Sequence, residues 1–368
     1  MRLTLPVVAS ATLLHPTSAR SLLHVDSAPN SVRPYVIEHY AAAQAVAIGQ
    51  QIYRFPVTGA SSGGAFSLLS TASPSSDALG VLPHHHRTHD ENFFCLKGRF
   101  QLWADKQNSN NNETQARLLT VGDYGSVPRN TTHSFQILDP DTELVGVIVP
   151  GGFEELFFFL ADSNYTAATN SPYLPAASNS STGGPPGEVL QTLESFDVFA
   201  ELEFNPRRDF VNGTAPANSG WHTASNAIPE LNGIPYFVAK DYGPIYLNRD
   251  FGYQIIQPFV TPVTGGKGFT QGSITISRRS PNTTVPTHVL SNHTAFEVLE
   301  GALSLTIDRE NAMLIMGDVA FIPGNTTFSY WSDVAFTKFM YVSAGSNGID
   351  QQLLSNAEGW DYPVFPTS

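Results

Sequence analysis

Most of the chain alternates apolar and polar residues in short runs separated by turn residues. Representative runs are Phe100–Ala104, Phe135–Ile137, Val145–Val149, Ser273–Ser277 and Leu303–Ile307. Because successive side chains of a strand point to opposite faces, this pattern predicts short strands with one buried face. Many such strands and few helical segments are typical of sandwiches and barrels. We therefore expect an all-β fold.

One region interrupts the alternation. Residues 162–187 are rich in Ser, Thr, Asn, Gly and Pro, which cannot drive burial and therefore predict a linker. Apolar residues then recur at helical spacing and predict a short helix within the connection: Leu190, Leu193, Phe196, Phe199 and Leu202. We predict an N-terminal domain over 20–161, a linker with a short helix over 162–205, and a C-terminal domain over 206–368.

The two halves also repeat each other. Phe93–Gly98 matches Phe296–Gly301, and Gly122–Phe135 matches Gly317–Tyr330, in the same order and at similar separation. Such internal similarity indicates one domain that has been duplicated. The length of 368 residues is enough for two separate cores.

Composition narrows the classes of partner. The 29 glycines and 26 prolines fit a turn-rich β protein, and only 14% of residues are charged. The formal net charge is −13, whereas nucleic acids and anionic membranes are bound by basic surfaces. We therefore expect neither nucleic acid nor a membrane as a partner. The sequence leaves a monomer and a homodimer open.

The N-terminus has the features of a secretory signal. Within residues 1–19, Arg2 is followed by the mostly apolar run Leu3–Leu14 and by the small residues Thr17–Ala19. The run is too short to span a bilayer. Cys95 is the one cysteine, so no intramolecular disulfide can form. We expect a signal peptide at 1–19 and a secreted, extracellular protein.

Eight Asn-x-Ser/Thr sequons support secretion and predict a glycoprotein. Six are glycosylation candidates: Asn112, Asn164, Asn179, Asn212, Asn282 and Asn292. The other two, Asn130 and Asn325, are left out of the candidates because they lie in turns of the repeated motif, and a turn of this kind can occlude a side chain.

Four residues form a candidate metal site. His84 and His86 are two apart, which places both imidazoles on one face of a strand. Glu91 reaches the same point if the residues between form a turn and Glu91 opens the next strand. His133 comes from another strand. Three imidazoles and a carboxylate suit a divalent first-row metal and leave positions open for water or substrate.

Two further histidines of the same run are not expected to be ligands. His85 should point to the opposite face from its neighbours, and His89 lies in the predicted turn.

The spacing of the ligands resembles the paired motifs of the cupin superfamily. His-x-His-x4-Glu-x6-Gly spans His84 to Gly98, and Gly-x5-Pro-x-Asn-x2-His spans Gly122 to His133. Asn130 stands where cupins often have Gly, and Asn also tolerates the left-handed backbone of such a turn. The resemblance implies two jelly-roll β-barrels, which makes the chain a bicupin.

The second half should lack a metal. Aligned on its Gly and Pro motif residues, its ligand positions hold Thr287, Val289, Thr294 and Phe328. His288 and His293 lie nearby, one step out of register in this alignment. We expect a structural copy of the first barrel.

Aromatic residues follow two of the ligands. Phe93 comes two residues after Glu91 and Phe135 two residues after His133, so strand alternation brings both rings beside the metal. No Arg or Lys is placed to hold a small dianion. A flat aromatic substrate fits this arrangement.

Longer stretches resemble the fungal quercetin 2,3-dioxygenases, which are secreted copper bicupins. They are Arg33–Ile37, Tyr53–Phe55, Asp77–His84, Gly122–Asn130 and Val149–Glu154. The resemblance implies copper on His84, His86, Glu91 and His133. It also implies a substrate pocket formed by Tyr53, Leu69, Phe93, Phe135, Leu144 and Ile148.

The implied reaction cleaves the heterocyclic ring of a flavonol such as quercetin with O2 and gives a depside and carbon monoxide. Glu91 is the expected general base, provided that burial raises its pKa toward the working pH. The ligand types alone admit one divalent ion of copper, manganese, iron, cobalt or nickel.

Two other functions are weighed against this one. A manganese oxalate oxidase or decarboxylase would need a cationic clamp for oxalate, and a decarboxylase would carry metal motifs in both halves. A non-enzymatic binding or storage bicupin would have no need of an intact set of four ligands.

Overall fold

The computed structural model describes residues 23–39, 45–107, 115–165, 187–206 and 225–367. The predicted signal peptide and most of the predicted linker lie outside these ranges. So do three predicted glycosylation sites: Asn112, Asn179 and Asn212.

Strands dominate the described residues. Those of the first half are β1 His24–Val25, β2 Tyr35–Ile37, β3 Ala45–Ile48, β4 Gln51–Val57, β5 Ser67–Ser73, β6 His84–His85, β7 Asp90–Lys97, β8 Phe100–Lys106, β9 Gln115–Leu119, β10 Tyr124–Val127, β11 Thr131–Ile137, β12 Thr142–Val149, β13 Ser163–Tyr165 and β14 Phe199–Ala200. Those of the second half are β15 Tyr236–Val238, β16 Tyr246–Asn248, β17 Gln254–Val260, β18 Phe269–Ser277, β19 His288–Val289, β20 Thr294–Glu300, β21 Ala302–Ile307, β22 Glu310–Ile315, β23 Val319–Ile322, β24 Thr327–Ser332, β25 Phe336–Ala344 and β26 Ala357–Gly359.

The helices are few and short. They are α1 Gly59–Ser62, α2 Glu154–Leu160, α3 Gly187–Ser195 and α4 Ile349–Leu354. The prediction of an all-β fold with two cupin barrels is confirmed.

Each barrel consists of two sheets whose inner faces enclose a core. In the first barrel the strand orders are β13-β3-β4-β5-β12-β7-β10-β15 and β14-β6-β11-β8-β9. In the second they are β1-β2-β23-β20-β25-β18-β17-β16-β26 and β19-β24-β21-β22. Strand neighbours within these sheets are antiparallel apart from β1 and β2. This is the jelly-roll plan.

The barrels exchange strands across the predicted domain boundaries. Strand β2 from the start of the chain pairs with β23 of the second barrel, with Tyr35 opposite Phe321. Strand β15 from the second half pairs with β10 of the first barrel, with Val238 opposite Tyr124. The division at 161 and 206 stays a prediction, but neither barrel is built from one half alone.

The large sheets of the two barrels pack on each other through buried aromatic rings. Tyr124 of the first barrel stacks on Phe259 of the second with ring centroids 4.8 Å apart, and the ring centroids of Phe66 and Phe321 are 6.2 Å apart. All four side chains are almost completely buried. A shared apolar core of this kind fixes the position of one barrel on the other.

A cluster of ionisable side chains is buried at the same junction. The His39 Nε2 atom lies 3.2 Å from Oε1 of Glu143. The charge of Glu143 also acts electrostatically on Glu297. Both glutamates are buried. Burial, together with the Glu143 charge, raises the pKa of Glu297 well above its usual range.

The predicted helix of the connection is shorter than expected. Helix α3 ends at Ser195, because Asp197 adopts a left-handed backbone with φ of 64° and the Val198 N–H turns back to the Leu193 carbonyl. Phe199, expected on the helix, lies in strand β14. Helix α2 was not predicted, since its apolar run of five residues, at 156–160, is too short to distinguish a helix from a strand.

Candidate metal centre and adjoining cavity

The four predicted ligands converge inside the first barrel. Their ligand atoms all lie within 4.8 Å of one another, and all four residues are buried. His84 on β6 is directly opposite His133 on β11. Glu91 lies on β7, and β6 ends at His85, so the residues between form the predicted turn. The described residues contain no second cluster of His, Cys, Asp or Glu with this compactness.

Backbone carbonyls orient the three imidazoles. In each ring Nδ1 bonds to a carbonyl oxygen, which makes Nδ1 the protonated nitrogen and leaves Nε2 as the free lone pair. The acceptors are Leu82 for His84 (2.6 Å), Asp197 for His86 (2.7 Å) and Thr131 for His133 (3.1 Å). The three Nε2 atoms are thereby held in the tautomer that a metal ligand requires.

The arrangement of donors fits a divalent metal. The Nε2 atom of His86 is buried and has no hydrogen-bond partner, since Oε1 of Glu91 is 3.5 Å away. Oε2 of Glu91 lies 2.8 Å from Nε2 of His133. A buried nitrogen lone pair without a donor costs free energy, and a cation coordinated at this point would remove the cost. Three imidazoles and one carboxylate suit a first-row metal.

The charges of the ligands follow from their burial and proximity. Burial, followed by the charges of His133 and His86, lowers the pKa of His84 well below its usual range, so this imidazole is neutral. Burial raises the pKa of Glu91, but the His86 and His133 imidazoles outweigh burial and hold the pKa well below its usual range. The expectation that burial would raise the Glu91 pKa toward the working pH is therefore wrong for this arrangement, and Glu91 is ionised.

The two remaining histidines of the run point elsewhere. His85 Nδ1 lies 2.8 Å from Oε1 of Glu201, and its ring stacks on Phe199. His89 Nδ1 lies 2.8 Å from Oδ2 of Asp197. The structure brings neither into the cluster of four.

A cavity of about 240 Å³ adjoins the cluster. This is many times the roughly 10–15 Å³ that one water needs. His84 and Glu91 form part of its wall, and the rings of Phe93 and Phe135 lie 6.2 Å apart beside them. All six predicted pocket residues line it: Tyr53, Leu69, Phe93, Phe135, Leu144 and Ile148.

Helices supply a part of the wall that the sequence did not predict. Residues of α2 with its N-cap, of α3 and of the segment after α3 close one side of the cavity: Phe153, Leu156, Phe157, Leu160, Leu193 and Val198. The ring of Phe157 lies 4.5 Å from the ring of Tyr53. The apolar spacing around Leu193 was visible in the sequence, but nothing in that spacing indicated which surface the helix covers.

Small residues keep the cavity open. A side chain at Gly146 would come within 3.3 Å of Leu69, and one at Gly80 would come within 2.2 Å of the Phe135 ring. Among the described residues that line the cavity there is no Arg or Lys, as predicted. The site is therefore an apolar chamber with a few polar groups on its metal side.

The second barrel corrects the sequence alignment of its ligand positions. His288 on β19 lies opposite Phe328 on β24, just as His84 lies opposite His133. His288 is therefore the equivalent of His84. The expectation that Thr287 occupies this position is wrong.

Leu290, not Val289, is the equivalent of His86. Its carbonyl accepts the Asn325 N–H at 2.7 Å, as the His86 carbonyl accepts the Asn130 N–H at 2.6 Å. The physical reason for the shift is a turn one residue shorter before β20, which the sequence alignment did not include.

The other two positions agree with the alignment. Thr294 pairs with Ile322 as Glu91 pairs with Val127, and Phe328 takes the place of His133. Three of the four ligand positions in the second barrel therefore lack the histidine or glutamate of the first barrel.

Three described sequon candidates differ in exposure. Asn164 and Asn282 are exposed, whereas Asn292 is half-buried. Asn130 and Asn325 adopt the expected left-handed backbone, with φ of 59° and 63°. Both residues are exposed, so the motif turns do not occlude them.

Within the described ranges, no helix has the length and apolar character needed to cross a membrane.

Comparison with known proteins identifies close relatives. No family model matches the chain. A quercetin 2,3-dioxygenase of Aspergillus japonicus is 53% identical over 349 residues, which cover 94% of this chain and 99% of the relative. A quercetin 2,3-dioxygenase of Bacillus subtilis (strain 168) is 33% identical over 147 residues, 40% of each chain.

Solved structures that resemble the chain include two oxalate decarboxylases. The Lactobacillus farciminis enzyme in a formate complex has a TM-score of 0.48 and 12% identity, covering 82% of this chain and 83% of its own. The Bacillus subtilis enzyme has a TM-score of 0.48 and 14% identity, covering 83% and 75%.

Proposed function

This chain belongs to the quercetin 2,3-dioxygenase family, and we propose that it carries out the reaction with a single copper ion on His84, His86, Glu91 and His133. It is a dioxygenase that opens the heterocyclic ring of a flavonol with O2. The observation that carries the proposal is the buried cluster of three histidines and one glutamate at the wall of an apolar cavity.

Copper is the proposed metal because an imidazole-rich set of ligands favours it over the other first-row ions where it is available. Three neutral imidazoles and one carboxylate leave a divalent ion with a net charge of one positive unit. When bound, the ion would lower the pKa of a coordinated flavonol 3-hydroxyl and accept electron density from the resulting anion.

Glu91 is the proposed proton acceptor. Its carboxylate is ionised and lies at the cavity wall, where its oxygen atoms face the same space as the imidazole Nε2 atoms. A carboxylate of low pKa is a weak base, so the transfer depends on a hydroxyl whose own pKa is lowered. Glu91 then holds the 3-hydroxyl proton while the ring is cleaved to a depside and carbon monoxide.

The apolar walls position the substrate and exclude water. Phe93 and Phe135 have ring centroids 6.2 Å apart and ring planes inclined by 58°, and both are proposed to contact the flat ring system of the flavonol. Tyr53, Leu69, Leu144 and Ile148 are proposed to complete this contact. The helical wall keeps solvent from the electron-rich anion.

Oxalate is a poor match for the same cavity. A small dianion needs cationic or hydrogen-bonding partners, and no Arg or Lys is found among the described residues that line the cavity. The proposed substrate class is therefore the flavonols and not small dicarboxylates.

We further propose that the protein is secreted and glycosylated. The support is the predicted signal at 1–19, the number of sequons and the exposure of Asn164 and Asn282.

The test of the copper assignment begins with protein secreted by an expression host and purified without added metal. Its metal content is measured by elemental analysis, and the metal-free protein is reloaded separately with copper, manganese, iron, cobalt or nickel. Quercetin absorbance and carbon monoxide are then followed with and without O2. We expect about one copper per chain and the fastest turnover with copper. Faster turnover with another metal, at equal occupancy, contradicts the assignment.

A further inference from the structure

The segment that follows α3 lies directly on the strand that carries the first ligand. Strand β14 pairs with β6, with Ala200 opposite His84. The Glu201 N–H donates to the Pro83 carbonyl at 2.8 Å. The Phe199 ring lies 3.7 Å from the Arg87 guanidinium carbon. The predicted linker thus contributes part of the wall of the metal centre.

Asp197 contacts this part of the chain through its backbone and its side chain. Its carbonyl accepts from His86 Nδ1 at 2.7 Å. Its carboxylate accepts the N–H groups of Arg87 (3.0 Å), Thr88 (2.9 Å) and His89 (3.0 Å). It also accepts from Thr88 Oγ1 at 2.6 Å and lies 2.8 Å from His89 Nδ1. One residue therefore binds a metal ligand and the whole turn that follows it.

The backbone conformation of Asp197 indicates why this position has an aspartate side chain. The residue is left-handed, at the position after a helix where Gly is usual because it has no Cβ. An aspartate is tolerated there less well than Gly. Since every contact of its carboxylate is to the turn 87–89, the structure indicates that the side chain is needed for the turn and not for the helix end.

We propose that Asp197 is a positioning residue of the metal centre, which fixes His86 and Glu91 relative to each other by holding the turn between them. The inference rests on the metal site proposed above. The Asp197 carboxylate contacts none of the four ligands, so the effect of this side chain passes through the turn 87–89. The connection between the barrels thereby takes part in metal binding, a role that the composition of the connection does not indicate.

The expected effect is on metal affinity. Glu91 and His86 are separated by only four residues, so a displaced turn changes the position of two ligands together. Loss of groups that orient metal ligands costs about 10–100-fold in affinity. The metal-free fold should change little, because the barrel cores do not include this turn.

The test uses two substitutions of the full chain. Asp197→Gly removes the carboxylate but keeps the left-handed backbone and the carbonyl that binds His86. Asp197→Asn keeps the shape and one acceptor oxygen. The matched control is Glu201→Gln, since Glu201 belongs to the same segment and bonds to His85, which is outside the cluster.

Copper affinity is measured by competition with a chelator, the Cu(II) EPR spectrum reports the ligand geometry, and thermal unfolding of the metal-free protein reports the fold. We expect D197G to lose about 10–100-fold in affinity with an altered spectrum. D197N should lose less, and E201Q should match wild type. The metal-free variants should unfold near the wild-type temperature.

Wild-type affinity and spectrum in D197G would overturn the inference, as would an equal loss in E201Q. Wild-type protein that binds copper but does not consume quercetin would contradict the proposed function alone, because the affinity comparison does not depend on turnover. Wild-type protein that takes up no copper would overturn both.

Discussion

In the first barrel Gly146 on β12 lies opposite Leu69 on β5, and the space beside them is the cavity. At the equivalent place in the second barrel Tyr341 lies opposite Gly272, and the Tyr341 ring fills the interior. A side chain at Gly272 would come within 2.5 Å of the Tyr341 hydroxyl. The same pair of strand positions therefore makes a cavity in one barrel and a packed core in the other.

The two barrels also differ at the ligand positions, where the second barrel has packed side chains. The second barrel keeps His288 but has Phe328 where the first has His133, and the His288 ring packs against both Phe328 and Tyr330. Burial lowers the pKa of His288. Function is thus carried by which side chains enter the barrel and not by the strand plan, which the two barrels share.

The largest effect is expected when a ligand of the first barrel is replaced by its counterpart. His133→Phe should lose the metal and reduce quercetin turnover by more than about 100-fold, since even outer groups of a metal site contribute 10–100-fold. Metal analysis and carbon monoxide release measure the two effects. Phe328→Leu, at the equivalent position, is the control and should keep the metal. Bound metal and wild-type turnover in H133F would show that His133 is not a ligand.

Truncation of the packed interior should affect stability alone. Phe339→Ala in the second barrel should lower the free energy of unfolding by about 3–5 kcal/mol. Leu144→Ala, its counterpart at the cavity wall, should cost nearer 2 kcal/mol but should weaken quercetin binding. Denaturant unfolding and quercetin titration separate the two outcomes. Impaired quercetin binding in folded, metal-loaded F339A would contradict the division of roles.

A smaller effect is expected when the cavity is partly filled. Gly146→Val places methyl groups against Leu69 and the cavity. If the bound substrate has to be accommodated against them at an overpacking cost of about 1–3 kcal/mol, quercetin affinity falls by about 5- to 150-fold. Metal content should stay at the wild-type level. Tight quercetin binding by G146V would place the substrate outside this cavity.

The smallest expected effect is on the pH dependence of the unfolding free energy, and it arises from the buried glutamates between the barrels. The pKa of Glu297 is raised in the folded state, so the folded protein binds its proton more tightly than the unfolded chain does. Stability should therefore fall as the pH rises above about 4.5. Glu297→Gln should remove this dependence and stabilise the folded protein at neutral pH, because the neutral amide has no buried charge. Unfolding curves from pH 4 to 8 measure the difference, and a steeper decline in E297Q would contradict the assignment.

Three of the four candidate ligands, His84, His86 and Glu91, could be predicted together because their spacing is local, and His133 followed from the second motif of the cupin resemblance. Period-two alternation fixes the face of His84 and His86, and the motif turn places Glu91 without knowledge of distant contacts. The pocket residues on strands followed from the same alternation and from the family resemblance.

What could not be predicted depends on contacts between distant parts of the chain. The pairing of β2 with β23 joins residues almost 300 positions apart, and no local pattern specifies it. The role of α2 and Asp197 in the wall of the site depends on where the connection docks. The shift at His288 arises from one deleted turn residue, which changes the facing of a strand without changing its composition.

We propose that a single metal, bound in the first barrel, supports the cleavage of a flavonol by O2. The most direct test is a single-turnover experiment on protein of known copper content, mixed with excess quercetin without O2 and then exposed to a limiting pulse of O2. The account predicts one carbon monoxide and one depside for each O2 consumed, with both lost in H133F and kept in Phe328→Leu. Unchanged quercetin in fully copper-loaded wild-type protein after the O2 pulse would contradict it.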